Sequence, residues 1–328
     1  MSILLIAFTL LAGGYIGWAI GANDAANCVG ADIGSGKMTV KQGIIITCFF
    51  SFLGAILLGS RVIKTIGKGI VPLDTLDPQV AVIIALAACF GAGTWVLIAT
   101  LRGLPVSTSH AIVGAVAGAG LAFGAPVIWK KLLDIFICWV LTPVGAAVIA
   151  YILYRPFRRI FYFFVPRKFN DAVIVFFIFA TSIYLAFNWG ANDVANATGV
   201  ITGAGIMNAP QAAVFGAIAI IIGIVTFGRK VIQTVGFGIT RLAPLMAIVA
   251  ELASGLNVNL YTLFGIPVST SHSIVGAVVG VGLVKGIKMV NKKMIGEIVF
   301  AWSLTPFASG AISFLVVKLI GLFVKIGG

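Results

Sequence analysis

Gly21-Ala22-Asn23-Asp24-Ala25-Ala26-Asn27 interrupts an apolar run, and the pattern returns as Gly190-Ala191-Asn192-Asp193-Val194-Ala195-Asn196. A second pair follows each copy. Pro105-Val106-Ser107-Thr108-Ser109-His110 is repeated as Pro267-Val268-Ser269-Thr270-Ser271-His272, and Ile-Val-Gly-Ala recurs at Ile112–Ala115 and Ile274–Ala277. Trp139-Val140-Leu141-Thr142-Pro143 returns as Trp302-Ser303-Leu304-Thr305-Pro306. A weaker pair links Val62, Ile63, Thr65, Gly67 and Gly69 to Val231, Ile232, Thr234, Gly236 and Gly238. Blocks recurring in one order mark a duplicated unit. The second copy is shorter in the stretch equivalent to Pro72–Pro78.

The background around these motifs sets the class. Of 328 residues, 60% are hydrophobic and 9% charged, against roughly 25% charged in a soluble domain. The mean hydropathy is +1.15. This excludes a soluble globular protein, a disordered chain and, despite a net charge of +13, a nucleic-acid binder. A spanning helix takes about 20 apolar residues. Ten apolar segments fit, near 2–22, 42–60, 79–101, 108–125 and 131–154, then 171–189, 211–228, 243–264, 271–286 and 294–322. The expected fold is an all-α polytopic membrane protein of two inverted-topology repeats. It has about ten to twelve membrane helices, re-entrant hairpins included. Residues 1–154 form the first repeat, 155–168 a basic linker and 169–328 the second repeat.

Charge gives the orientation. The linker carries Arg155, Arg158, Arg159, Arg167 and Lys168. With the linker in the cytoplasm and an odd number of crossings per half, only Arg61, Lys64, Lys68, Lys130, Lys131, Lys318 and Lys325 fall outside. Arg241 and Lys288 are among the bases that fall inside. The bias places both termini outside, in the plasma membrane. An odd crossing number makes the repeats antiparallel, the plan of many secondary transporters. The N-terminus, Met1 to Ile20, lacks a basic leader and reads as a retained first span. The four cysteines lie singly in or beside apolar segments and read as reduced packing residues.

Asn23, Asp24 and Asn27, with Asn192, Asp193 and Asn196, are the candidate cation ligands. A carboxylate at membrane depth costs a few kcal/mol and needs a partner. Flanking Gly21 and Gly30 allow the helix to unwind, and unwound backbone beside carboxylate and amide oxygens suits sodium. One copy alone would read equally well as a helix cap at the membrane surface. Two copies favour a site. Ser107, Thr108, Ser109 and Ser269, Thr270, Ser271 read as helix starts, with proline before and hydroxyls at the cap. Helix N-termini bind oxyanions, so these residues, with Asn27 and Asn196, are the candidate phosphate ligands. His110 and His272 end the motif and read as hydrogen-bonded rings that orient it. Glu251 lies inside an apolar segment and reads as a cation or gating residue, although its counterpart region, Ala85 to Cys89, holds no acid. Asp134 and Glu297 read as interfacial, Trp139 and Trp302 as membrane-interface anchors. The Gly-rich stretches 114–124 and 276–286 read as close-packing surfaces.

At these motifs the chain resembles the inorganic phosphate transporter family, which includes sodium–phosphate symporters. The matching residues are the Gly21 and Gly190 blocks, the twin Pro-Val-Ser-Thr-Ser-His blocks, and Glu251-Leu252-Ala253-Ser254. The resemblance spans nearly the whole chain. It implies inverted repeats, re-entrant hairpins carrying the Ser-Thr-Ser turns and termini outside. It also implies phosphate held between those turns, with sodium ions around the Asn-Asp-x-x-Asn motifs. Family members often carry an acid near the position of Ala85, which this chain lacks. Residues 155–168 replace the large hydrophilic loop of animal members.

The expected activity is sodium-coupled uptake of inorganic phosphate by alternating access. Sodium is a co-transported ion; no cofactor and no catalytic residue is assigned. Proton coupling, or carriage of metal–phosphate or sulfate, is the alternative within transporters. A passive anion channel ranks lower, because channels favour rings of charge or a continuous pore. Expected partners are phosphate, sodium and the bilayer, with a homodimer left open.

Overall fold

The computed structural model describes residues 3–238, 242–286 and 291–323. Met1, Arg241, Lys288 and Lys325, named above for topology, lie outside the described residues. Eleven α-helices are described: α1 (Ile3–Gly34), α2 (Val40–Leu58), α3 (Ser60–Gly69), α4 (Pro78–Leu101), α5 (Thr108–Phe123), α6 (Trp129–Phe164), α7 (Asn170–Gly203), α8 (Ala209–Gly238), α9 (Pro244–Leu263), α10 (Thr270–Lys285) and α11 (Lys292–Phe323). Eight of them are long and apolar enough to cross a membrane; α5 and α10 are shorter apolar helices. This is an all-helical, multi-pass membrane protein.

The two halves interlock. A Cβ added at Gly13 would fall 2.1 Å from Ile201 Cδ1, and one at Gly17 3.5 Å from Ala197 Cβ, so α1 and α7 cross antiparallel. The inverted relation continues outward. α1 packs parallel to α8 through Gly13–Phe215, Gly17–Ala219 and Gly21–Ile220, while α2 packs parallel to α7 through Gly54–Phe187 and Gly59–Val194. Each short helix then lies along the last long helix of the other half. Gly114 and Gly118 of α5 meet Pro306 and Gly310 of α11, and Gly276 and Gly280 of α10 meet Pro143 and Ala147 of α6. The Gly-rich stretches are the contact surfaces of these pairs, because small residues let membrane helices approach closely.

α4–α5 and α9–α10 are hairpins with matching tips. Gly103 sits at φ +70° and Gly265 at φ +67°. The turns are closed by Leu104 N–H to Ala99 O and Ile266 N–H to Tyr261 O, both 3.0 Å. A left-handed glycine after the last helical turn is the usual helix stop. Pro105 and Pro267 follow and keep the chain extended. Ser107 then caps α5, its Oγ accepting from His110 N–H at 3.2 Å, and Ser269 caps α10 through His272 N–H at 3.1 Å.

The polar motifs differ from expectation in one respect. Neither helix unwinds at them: α1 runs unbroken through Asn23, Asp24 and Asn27 to Gly34, and α7 through Asn192, Asp193 and Asn196 to Gly203. Gly21 and Gly190 are contact residues instead. A Cβ at Gly21 would lie 1.9 Å from Ile220 O, and one at Gly190 2.0 Å from Ser51 O. Most of the basic stretch is helical too, since α6 extends to Phe164 and a short 3-10 turn at Arg167–Phe169 leads into α7.

Gly21→Val is expected to destabilise the fold by about 1–3 kcal/mol through overpacking. Gly296, with nothing within 4 Å of an added Cβ, provides the control. Thermal melting in detergent should show a lower Tm for Gly21→Val and little change for Gly296→Val.

Candidate functional site

The four polar motifs meet inside the helix bundle. Asp24, Asp193, Asn23, Asn192 and Asn196 have no solvent exposure, and Asn27, Thr108, Ser109, Thr270 and Ser271 are at most 2% exposed. Thr108 Oγ1 donates to Asp24 Oδ2 at 2.8 Å, and Thr270 Oγ1 donates to Asp193 Oδ2 at 2.9 Å. Each carboxylate therefore sits at the N-terminus of a short helix of its own half. The second oxygens take amides: Asn27 Nδ2 donates to Asp24 Oδ1 at 3.1 Å, and Asn196 Nδ2 to Asp193 Oδ1 at 2.7 Å.

The same amides cross to the other half. Asn27 Nδ2 lies 2.9 Å from Ser271 Oγ, and Asn196 Nδ2 lies 3.1 Å from Ser109 Oγ. Ser271 Oγ is 3.0 Å from both Asp24 Oδ1 and Val106 O, so its one proton serves one acceptor at a time. Ser109 donates to Val268 O at 2.9 Å. Asn23 and Asn192 tie the hairpins down. Asn23 Nδ2 donates to Thr100 Oγ1 (2.9 Å) and Leu104 O (3.0 Å) and its Oδ1 accepts from Val106 N–H; Asn192 Nδ2 donates to Val268 O at 2.8 Å.

Two buried atoms are left over by symmetry. Asn27 Oδ1 and Asn196 Oδ1 have no hydrogen-bond partner. A buried acceptor without a donor is costly, and both lie beside a carboxylate. Among the described residues, the ion pairs are Lys37–Asp171 and Lys68–Asp74, neither in this cluster. Among the described residues, neither the Asp24 nor the Asp193 carboxyl has a protein cation as a partner. The donor set is all oxygen, which matches a hard cation. Beside it, the first turns of α5 and α10 offer N–H groups and hydroxyls, which match an oxyanion.

The candidates do not all join this centre. Ser107 and Ser269 sit one residue back as helix caps. Glu251 belongs to a separate cluster: Ser182 Oγ lies 2.5 Å from Asp32 Oδ2 and 3.0 Å from Glu251 Oε2, and Thr181 Oγ1 lies 3.5 Å from Glu251 Oε2. Asp32 was not among the sequence candidates. It is fully buried, about 12 Å along α1 from Asp24 at 1.5 Å per residue. The signal was an acid in the run after the first motif; reading Gly30 as a helix break hid it. Asp32 Oδ1 and Glu251 Oε1 also lack partners. The repeat does not copy this cluster: the residue equivalent to Asp32 is Ile201, packed on Gly13, the equivalent of Ser182.

The histidines support the hairpins. His110 Nδ1 lies 3.3 Å from Trp302 O and His272 Nδ1 3.1 Å from Trp139 O. A carbonyl only accepts, so Nδ1 carries the proton in both rings. Trp139 stacks on His110 with ring centroids 3.6 Å apart, and Trp302 lies tilted by 32° over His272 at 3.7 Å. The tryptophans are thus not interface anchors: they are 5% and 7% exposed, and stacking on an imidazole uses the ring faces that an anchor would present to lipid headgroups.

This fold defines a multi-pass membrane protein with two inverted helical hairpins whose tips meet inside the bundle. Residues 20–313 match the model of the phosphate transporter family. The chain belongs to that family, whose members transport phosphate rather than catalyse a reaction. It is 32% identical to a Pyrococcus furiosus protein named "Putative phosphate permease", over 96% of both chains. It is 28% identical to "Inorganic phosphate transporter 2-1, chloroplastic" of Arabidopsis thaliana, over 92% of this chain and 70% of that one. A solved structure titled "The sodium-dependent phosphate transporter" superposes with a TM-score of 0.88 at 30% identity, covering 98% of this chain and 100% of the other.

His272→Phe keeps a ring on Trp302 and removes the bond to Trp139 O. It is expected to lower stability by about 1 kcal/mol, read as a fall in Tm. Unchanged melting with abolished phosphate uptake would reject the orienting role.

Proposed function

We propose that the chain imports inorganic phosphate together with sodium by alternating access, in the cell membrane, with both termini outside. The observation that carries this reading is the crossed constellation at the bundle centre. Two buried carboxylates without a protein cation lie against two helix N-termini, and each has an orphaned amide oxygen beside it. Asp24, Asn23 and Asn27, and Asp193, Asn192 and Asn196, would hold sodium. Thr108, Ser109, Thr270 and Ser271, with Asn27 and Asn196 Nδ2, would hold phosphate, the caps Ser107 and Ser269 aiming the two helices.

Energetics supports a cation partner. Moving a dianion into a negative-inside cell costs about 4.6 kcal/mol per 100 mV, from about 2.3 per charge. Two sodium ions cancel that and a third supplies drive. The third fits Asp32 and Glu251, whose free oxygens and shared Ser182 make another all-oxygen set. The halves differ by inversion, so rocking one hairpin against the other would expose the buried centre to each side in turn.

Asp24→Asn and Asp193→Asn are each expected to lower sodium-driven uptake in proteoliposomes by roughly tenfold or more, the loss of one charge-assisted contact, with the Tm retained. Uptake still driven by sodium in both variants would sink the assignment. Uptake driven by an imposed pH gradient in the wild type, and not by sodium, would favour the proton reading. Asp32→Ala is expected to lower the sodium-to-phosphate ratio, measured with both isotopes, while leaving phosphate uptake measurable. An unchanged ratio would remove the third site.

A further inference from the structure

At the C-terminal end of α6 lies a cavity of about 600 Å³ outside the central site. Tyr154, Arg155, Arg158 and Arg159 line it from α6, with Tyr162 one turn on and Lys285 from the last turn of α10. Among the described residues, no carboxylate lines it. None of the four cations has an ion-pair partner among the described residues, and Arg158 lies over the Tyr162 ring at 5.9 Å.

A topology signal requires only that bases lie on one side of the membrane; it does not bring them around one hollow. Here the convergence is built by packing. Gly280 of α10 lies against Ala147 of α6 in parallel, so Lys285 comes level with the Arg155 turn. All four are solvent-exposed, so water and salt screen their mutual repulsion, and an anion among them relieves what remains. Arginine forks bind phosphate oxygens in bidentate fashion, and lysine adds a point charge. Tyrosine hydroxyls add donors. The flank is aromatic and open, Phe163 being 80% and Tyr162 54% exposed, which suits the headgroup level of a bilayer. The hollow starts 15 residues beyond Trp139, the residue stacked on His110, so it stands about 22 Å from the central motifs along α6.

We propose that this cavity is a second phosphate-recognition site, separate from the transport centre, which takes a phosphate group at the membrane surface. The group comes from an anionic phospholipid headgroup or from free inorganic phosphate, and the two sources are separable.

Purified protein is titrated with phosphatidylglycerol in detergent, and retained lipid is read by native mass spectrometry. The probe is repeated with Arg155→Gln/Arg159→Gln and with Lys285→Gln. Wild type is expected to retain phosphatidylglycerol over phosphatidylcholine, and the double variant to bind it roughly tenfold more weakly. Arg155→Lys/Arg159→Lys, which keeps the charge and removes the fork, is expected to fall between. Unchanged melting in phosphatidylcholine alone certifies the fold of each variant. Displacement of the lipid by millimolar inorganic phosphate assigns the site to the free ion; resistance to displacement assigns it to the headgroup. Equal phosphatidylglycerol retention in wild type and both glutamine variants, with no response to inorganic phosphate, overturns the proposal.

Discussion

Two carboxylates buried away from water constrain the whole architecture. Asp24 and Asp193 are fully enclosed, and an ionised group at membrane depth survives only among oriented donors. The donors come from Thr108 and Thr270 at helix N-termini. Those N-termini must therefore lie inside the bundle, so α5 and α10 cannot be full spans. Their 16 residues each follow from that requirement, as do the left-handed glycines and prolines that turn the chain before them. The serine caps complete the device by satisfying the third N–H of each helix and leaving the second and third hydroxyls of the triplet for the centre.

The second constraint is close approach. Carriers of this plan need hairpins and long helices to slide or rock without opening gaps, and lipid offers little hydrophobic drive between helices. Gly114 and Gly118 bring α5 onto the backbone of α11, while Gly276 and Gly280 bring α10 onto α6. Each hairpin is thus held by the other half of the chain. The histidine bonds follow the same crossing, His110 to Trp302 O and His272 to Trp139 O. Packing and hydrogen bonds therefore both tie each hairpin across the pseudo-symmetry axis.

Much of this was legible in the sequence because polar residues stand out in a 60% hydrophobic chain and occur twice. The repeat pattern located Asn23, Asp24, Asn27 and both hydroxyl triplets without any distance being known. What escaped it has physical reasons. Gly21 and Gly30 were read as places where the helix unwinds, yet glycine serves close approach as well as flexibility, and at Gly21 only the neighbouring Ile220 carbonyl decides between the two. Trp139 and Trp302 were read as membrane-interface anchors, and the histidines that their ring faces meet are reached only through tertiary packing. Asp32 occurs in one half alone, so logic built on repetition passes over it.

That single-copy acid bears on function. A carrier whose inverted halves were identical would have inward- and outward-facing states of equal energy, with no bias beyond the gradients across it. Here one side carries Asp32, Ser182 and Glu251, while the equivalent place on the other is filled by Ile201 against Gly13. An apolar plug needs no ion to be stable. A pair of adjacent buried acids needs a shared proton or a cation. In the proposed cycle the two faces would answer differently to cation, and occupancy of the acidic cluster would shift their balance by the ion's differential affinity for the two states. In that cycle the symmetry of the repeats would supply the motion, and its local failure at Asp32 a direction in which the ion acts.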